Sequence, residues 1–174
     1  MTPYLTAVAV LSCAALPAYS QNLLNNPDFD AGTAGWTLVG DATVESGVLH
    51  LVPHPGQTAE ASQRITGLTP TMRYTVSARV QTNDRLAPPI LGIRGGAQID
   101  KAHGWVAIED EGVWLERQLE FYVNDDSSQI DVFLQAWQTD LEVLVEFDDV
   151  RLLEGRHPAP TDPSWPGAPE IKTA

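Results

Sequence analysis

The stretch YTVSARVQ, residues 74–81, decides the fold because its apolar and polar side chains alternate strictly. Every second position carries an inward-facing candidate: Tyr74, Val76, Ala78 and Val80. The intervening side chains, which include Arg79 and Gln81, are polar. A period of two is the period of a β-strand and not of a helix. The stretch is therefore predicted to be a strand with one face in a core and the other facing outward.

The same alternation recurs along the chain between turn signals. Strands are predicted at 36–39, 42–44, 48–52, 59–65, 90–94, 115–123, 130–137 and 143–152. The segment Glu45 to Gly47 is a turn signal between two of them and predicts a β-hairpin. After residue 20, no window of ten or more residues has a helical apolar stripe. This pattern predicts an all-β fold, an antiparallel β-sandwich of the jelly-roll kind.

The two ends of the chain differ in composition from the middle. Residues 1–20 contain no charged side chain, hold an apolar run, and end in a small-x-small site before Gln21. This is typical of a secretory signal peptide, so we expect a secreted or periplasmic protein and no membrane span. A lipid anchor through Cys13 is the alternative. Residues 21–154 form the predicted domain, and the Pro-rich segment 155–174 is predicted to be a flexible tail.

The charge and the cysteine count exclude several function classes. The formal net charge is -13, which argues against nucleic acid and anionic membranes as partners and favours a neutral over a polyanionic glycan. Cys13 is the single cysteine, so the domain has neither a disulfide nor a thiolate metal site. Its stability must therefore come from its core, with a bound metal as a further contribution.

Two motifs lie at opposite ends of the predicted domain. The first is NLLNNPDFDAGTAGW, residues 22–36, and the second is VEFDDVRL, residues 145–152. Each places carboxylates beside apolar residues that can anchor in a core. If the two ends pair in one sheet, these carboxylates come close enough to share a cation.

Together these motifs resemble the carbohydrate-binding modules of xylanases and cellulases, the group of families 4, 9 and 22. The resemblance covers residues 22 to 153 and extends to LTP at 68–70, the strand from Tyr74, and Trp114. Modules of that group are β-jelly rolls with a galactose-binding-domain-like topology. The resemblance implies a secreted, non-catalytic module that binds a plant- or microbial-type polysaccharide or oligosaccharide. A separate secreted enzyme is an open second partner.

The resemblance also implies a structural calcium ion at the chain ends. Calcium prefers six to eight oxygen ligands, including carboxylates and carbonyls of a tight loop. The expected ligands are Asp28, Asp30 and Gly32, completed by Asp149 or Asp148 from the last strand. The alternative is that these acids cap turns and face solvent.

A sugar-binding surface needs aromatic platforms and planar hydrogen-bond donors. The candidates are side chains on predicted outward positions or in a loop: Trp137, Gln135, Phe133, Arg79, Arg94, Tyr122 and Trp105. If their strands are neighbours in one sheet, they line one groove. The alternatives are aromatic rings packed at strand ends and arginines paired with Glu116, Glu120 or Asp131.

Two other functions remain open from the sequence. One is a structural or protein-interaction β-sandwich of an envelope or matrix, which would share the fold without a usable aromatic groove. The other is a small polysaccharide-degrading enzyme or an accessory part of a glycoside hydrolase system. The sequence carries no Gly-x-Ser-x-Gly, no His-Glu-x-x-His and no phosphate-binding loop, so the expectation is that the protein is not an enzyme.

Overall fold

The computed structural model describes residues 21–84, 89–99 and 111–155. In these residues it contains ten strands, all paired antiparallel. The strands are β1 Thr37–Val39, β2 Asp41–Glu45, β3 Val48–Val52, β4 Ala59–Thr66, β5 Arg73–Thr82, β6 Pro89–Arg94, β7 Ala97–Ile99, β8 Leu115–Val123, β9 Gln129–Ala136 and β10 Val145–Glu154. The predicted signal peptide and, apart from Gly155, the predicted tail lie outside the described residues.

The strands form the two layers of a β-sandwich. One sheet has four strands in the order β1-β4-β9-β6, and the other has six in the order β2-β3-β10-β5-β8-β7. The predicted all-β sandwich is confirmed, and the described residues contain neither a helix nor a segment that could cross a membrane as one. Of the described strands, β7 is the one strand that lies outside the predicted ranges.

The core lies between the two sheets and is supplied by the alternating side chains. In β5 the four predicted inward residues are all at most 1% exposed. Two further strands also supply fully buried side chains, Phe121 from β8 and Leu134 from β9. The Tyr74 ring stacks on Phe121 with centroids 5.8 Å apart, and its hydroxyl accepts a hydrogen bond from the backbone N–H of Thr69. A polar tip with a partner is what allows a tyrosine to be buried.

The predicted hairpin is present as β2 and β3. Its turn has positive φ at both central residues, 52° at Ser46 and 80° at Gly47. That is the type I′ pattern, whose twist matches the twist of the paired strands. The hairpin forms one edge of the six-stranded sheet and places His50 on its outer face.

The N-terminal segment, residues 22–27, is hydrogen-bonded to the last strand, although it is not itself a strand of the sheet. The Asn22 side chain donates to the carbonyl of Val150 (2.9 Å) and accepts from the backbone N–H of Leu152 (3.0 Å). Leu23 also donates its N–H to the carbonyl of Leu152, and Val150 donates to that of Pro27. The two ends of the domain therefore meet where residues 22–27 run alongside β10, and we call this junction the seam.

Candidate binding surface

The structure divides the predicted ligand-binding residues between two opposite faces. Phe133, Gln135 and Arg94 lie on the outer face of the four-stranded sheet, and Trp137 follows directly after β9 at the end of that face. Arg79 and Tyr122 lie on the outer face of the six-stranded sheet. Trp105 lies outside the described residues. The expectation of one groove is wrong for these strands because β9 and β5 belong to different sheets.

Several side chains on the outer face of the four-stranded sheet contact one another. The tip of the Phe133 ring lies over Gly92, where a Cβ atom would come within 3.0 Å of it. The guanidinium of Arg94 covers the ring, 4.3 Å from its centroid. Glu60 holds this arrangement, since its carboxylate contacts Arg94 and accepts from Gln135 Nε2 at 2.9 Å. Phe133 is thus partly buried, with the tip of its ring on Gly92 and Arg94 over the ring.

Trp137 is the exposed aromatic residue of this side. Half of its surface, 50%, is accessible to solvent. Val39, at the start of the same sheet, is 55% exposed. On the same face Arg64 forms a bidentate ion pair with Asp131 at 2.8 and 3.0 Å, and its hydrogen bond lowers the pKa of that carboxyl. Arg94 lies directly opposite Asp131 in the register of β6 and β9, and its guanidinium also contacts Glu60.

The centre of the six-stranded face carries an arginine stacked on a tryptophan. The guanidinium carbon of Arg79 lies 5.1 Å from the centroid of the Trp114 ring. Cross-strand pairing places Asp148 of β10 on one side of Arg79 and Glu116 of β8 on the other. An Nη atom of Arg79 is 3.8 Å from a carboxylate oxygen of Asp148. A planar cation, an indole ring and two carboxylates thus share one row of the face.

A second polar row runs parallel to the first. His50 of β3 is paired with Glu146 of β10, which is paired with Gln81 of β5. The His50 Nε2 atom lies 3.3 Å from the Glu146 carboxylate, and Gln81 Nε2 donates to the other oxygen of that carboxylate. These three half-buried side chains extend the polar surface across three neighbouring strands.

Tyr122 lies at the opposite end of this face. Arg73 covers its ring at 4.6 Å and contacts its hydroxyl, and the same arginine pairs with Glu120 at 2.8 Å. Counted along β5, Arg73 and Gln81 are eight residues apart, a span of about 26 Å. The polar side chains therefore follow β5 over nearly its whole length.

Burial shows that this face is recessed. Thr75 and Ser77 lie on β5 between Arg73 and Arg79 and point outward, yet they are only 3% and 8% exposed. Longer neighbours on β8 and β10 stand on both sides of them. Two clefts adjoin the ends of the face, one of about 520 Å³ that includes Asn83 and one of about 300 Å³ that includes Tyr122.

The recess raises the proton affinity of two carboxylates. Burial raises the pKa of Glu116, and the charge of Asp149 adds to this effect against the opposing influence of Arg151 and a hydrogen bond with Ser77. Burial also raises the pKa of Asp148, against the backbone hydrogen bond that its carboxylate accepts from Asp149. Carboxylates whose charged form is destabilised by burial are common at functional sites.

The predicted calcium ligands lie near one another at the seam, and hydrogen bonds within the protein already occupy oxygens of Asp149 and Gly32. Both carboxylate oxygens of Asp149 accept from Arg151, at 3.0 and 2.6 Å, and the carbonyl of Gly32 accepts from the Asn26 side chain. Burial and the charges of Asp149 and Asp30 raise the pKa of Asp28. Within the described part of the chain, no three His, Cys, Asp or Glu side chains are grouped to hold a metal ion. As placed, these residues do not form a calcium shell, and calcium binding stays a prediction from the sequence.

Several residues of the recessed face were absent from the predicted site. His50 and Glu146 each lie between two apolar residues, so alternation alone could have assigned them to an outer face. Trp114 precedes an alternating strand and could have been assigned in the same way. What the sequence does not contain is the strand order that brings β3, β10, β5 and β8 side by side.

No family model and no curated protein matches this sequence. Solved structures do match. A CBM4 structure has a TM-score of 0.55 and 17% identity, and the match covers 76% of this chain and 99% of that one. TmCBM61, solved in complex with β-1,4-galactotriose, has a TM-score of 0.57 and 17% identity, with 78% and 100% covered.

A cellulose-binding domain gives a similar result. The second N-terminal domain of this kind from Cellulomonas fimi β-1,4-glucanase C has a TM-score of 0.52 and 13% identity, with 79% of this chain and 97% of that chain covered. An arabinose-bound α-L-arabinofuranosidase also matches with a TM-score of 0.53 and 14% identity over 78% of this chain, but only 27% of the enzyme is covered. The fold of this chain is therefore the β-sandwich of carbohydrate-binding modules, as the sequence motifs predicted.

Proposed function

We propose that this protein is a secreted, non-catalytic carbohydrate-binding domain whose site is the outer face of the six-stranded sheet. The observation that carries the proposal is the Arg79 guanidinium stacked on Trp114 in a recessed row of polar side chains. A pyranose ring offers a C–H face to an indole and hydroxyl groups to planar donors and carboxylates. The recess supplies both kinds of group along the length of β5.

The similarity to solved carbohydrate-binding modules supports this proposal, and so does the charge of the chain. The formal charge of -13 opposes binding of uronate-rich or sulfated polymers. On the face itself, Glu116 and Asp148 flank Arg79, and Glu146 lies in the next row. We therefore propose a neutral polysaccharide as the ligand.

The positions of the carboxylates favour binding over cleavage. Glycosidases place two carboxylic groups about 5–10 Å apart on either side of an open gap for the glycosidic bond. Glu116 and Asp148 lie two strand spacings apart, about 10 Å, but the Arg79 side chain stands between them on the intervening strand. With that gap filled, the pair has no room for a bond to be protonated from one side and attacked from the other.

The proposal is tested by titrating the purified protein with xylan, mixed-linkage β-glucan and cello-oligosaccharides, followed by calorimetry and tryptophan fluorescence. Trp114→Ala is expected to weaken binding by tenfold or more, about 1.4 kcal/mol. Trp137→Ala is the matched control, since it removes an indole from the end of the opposite face, and it is expected to leave binding unchanged. Unchanged thermal unfolding of both variants would show that the fold survives.

Each other outcome has a definite meaning. Loss of binding in Trp137→Ala alone would move the site to the four-stranded sheet and refute the proposed face. The absence of binding by wild-type protein to neutral and acidic glycans alike would refute carbohydrate binding and favour a protein-interaction domain. Release of reducing sugar ends during the incubation would refute the non-catalytic assignment.

A further inference from the structure

A cleft of about 520 Å³ lies at the end of the sandwich where β3 and β5 end and β10 begins. Its wall includes Val52, Asn83 and Leu144. Val52 is the last residue of β3, and Asn83 and Leu144 lie one residue outside β5 and β10. Each of them is two positions along the chain from a residue of the row His50–Glu146–Gln81. The row therefore lies next to the cleft, about 7 Å away along the strands.

The lining of the cleft combines apolar walls with an acidic rim. Pro53, Pro55 and Leu141 supply rigid or exposed C–H surface, and Leu141 is 41% exposed. Asp140 and Glu142 supply carboxylates beside it. Carboxylates accept hydrogen bonds from hydroxyl groups and repel anionic groups. A neutral sugar ring, with one apolar face and several hydroxyl donors, matches both features.

The walls of the cleft are held by contacts within the protein. In the β3–β4 connection, His54 and Gln57 exchange two backbone hydrogen bonds of 3.0 and 2.9 Å. The His54 ring also lies 3.1 Å from the Asp41 carboxylate. On the other side, the Asn83 side chain accepts from the N–H of Leu144 at 2.8 Å, and the N–H of Asn83 donates back to the Leu144 carbonyl. A preformed cleft in this size range is typical of small-ligand sites.

We propose that this cleft is a second subsite, which binds a neutral terminal pyranose residue of a glycan whose main chain lies along the recessed face. The inference rests on the proposed function, because the main chain delivers the terminal residue to the cleft. The terminal residue is either the tip of a single-residue branch or the end of the main chain. Both present the same chemistry, a pyranose ring with one glycosidic bond and otherwise free hydroxyls.

The test compares oligosaccharides in matched pairs by calorimetry. Unbranched β-1,4-glucan, β-1,4-xylan and β-1,4-mannan oligosaccharides are each measured beside a counterpart with single-sugar neutral branches. At least one branched member is expected to bind about fivefold more tightly than its unbranched partner. If the cleft takes a chain end instead, the unbranched oligosaccharide binds more tightly than the same weight of long polymer.

The variant Leu141→Asp removes an exposed aliphatic side chain from the cleft and adds a charge there. This variant is expected to lose the additional affinity for the tighter-binding member of each pair. Its affinity for the weaker-binding member should stay the same as that of wild type. Val39→Asp is the matched control, since Val39 is an exposed aliphatic residue on the opposite face. The subsite is refuted if Leu141→Asp still binds the branched or short oligosaccharide more tightly than its partner. It is also refuted if the unbranched chains bind wild-type protein but none of the comparisons shows a difference in affinity.

A second readout separates this inference from the proposed function. Methyl glycosides of xylose, galactose and glucose are added at tens of millimolar to isotopically labelled protein, and the amide signals are followed by NMR. Shifts confined to His54, Leu141 and Leu144 in wild type and absent in Leu141→Asp support the subsite even if no polymer binds the face. An absence of shifts at these amides for all three glycosides overturns it.

Discussion

Replacing Asn22 with alanine should destabilise the domain by breaking the seam between its two ends. The Asn22 amide donates to the Val150 carbonyl, and its oxygen accepts from the N–H groups of Leu152 and Leu24. The first two contacts, at 2.9 and 3.0 Å, join segments more than 120 residues apart in sequence. Alanine offers neither donor nor acceptor, so β10 loses side-chain partners along the edge where β3 has already ended.

The magnitude follows from the two long-range contacts. Each hydrogen bond contributes about 0.5–1.5 kcal/mol net, so their loss is expected to cost about 2 kcal/mol. The Leu24 contact, at 3.2 Å, is local and adds less. For a domain of this size, about 2 kcal/mol corresponds to a fall in Tm of about 6 °C. A loss of that size leaves a typical domain folded at room temperature, so the variant can be purified and compared.

The assay is urea unfolding followed by tryptophan fluorescence, with thermal unfolding by circular dichroism. Thr43→Ala is the control, because Thr43 is an exposed polar residue on the edge strand β2. The midpoint for Asn22→Ala should fall with an unchanged dependence on urea, and that for Thr43→Ala should not move. A loss below about 0.5 kcal/mol would refute the reasoning, since it would mean that water replaces both contacts at no net cost.

Three further predictions concern the faces and the seam. Burial raises the pKa of Glu116, so ionising this side chain destabilises the fold; the destabilisation is absent below the ordinary pKa of 4.5 and is complete above the raised pKa of the folded state. Glu116→Gln should therefore be more stable than wild type in urea at neutral pH, and this gain should vanish in acid. A variant that is less stable than wild type at neutral pH would contradict this. Gly92→Ala should cost about 1–3 kcal/mol in urea unfolding, because its Cβ meets the Phe133 ring, and an unchanged midpoint would show that the ring moves freely. Arg151→Ala releases the Asp149 carboxylate, so added calcium should raise the Tm of this variant more than that of wild type, whereas an equal response would show that the ion pair does not compete with calcium.

The buried half of each strand could be read from the sequence because it depends on local alternation. The period of two predicts that Tyr74, Val76 and Val80 face inward, and each is at most 1% exposed. The predicted strand bounds also agree closely with the observed ones, and 48–52 and 115–123 agree at both ends. Strand β7 escaped prediction because three residues after a Gly95-Gly96 turn are too short to show a period.

The outer faces could not be assigned in the same way. Alternation states that Phe133 and Arg79 both point away from the core, but a sandwich has two such faces on opposite sides. Which face a residue occupies depends on strand order, and strand order depends on contacts between segments distant in sequence. The pairing of β9 with β4 and β6, and of β5 with β10 and β8, separates the two residues by the full thickness of the core. Strand order also adds arginine partners that the local pattern does not indicate. Glu116 and Asp131 lie directly opposite Arg79 and Arg94 across the strands, and Asp148 and Glu60 contact the same two arginines from other strands.

The energetics of the two faces also distinguish them. On the four-stranded face, Arg64 lowers the pKa of Asp131, so that ion pair adds stability while both groups are charged. On the six-stranded face, burial raises the pKa of Glu116 and Asp148, so their charged forms cost stability at neutral pH. A recess that retains costly carboxylates beside a stacked arginine and tryptophan is poorly explained by folding alone, because glutamine and asparagine of similar shape would avoid the cost. Hydroxyl groups of a bound sugar would supply hydrogen bonds to these carboxylates. The stacked Arg79 and Trp114 with the flanking carboxylates of Glu116 and Asp148 are the geometry on which the proposed site rests, and the direction of these pKa shifts agrees with it.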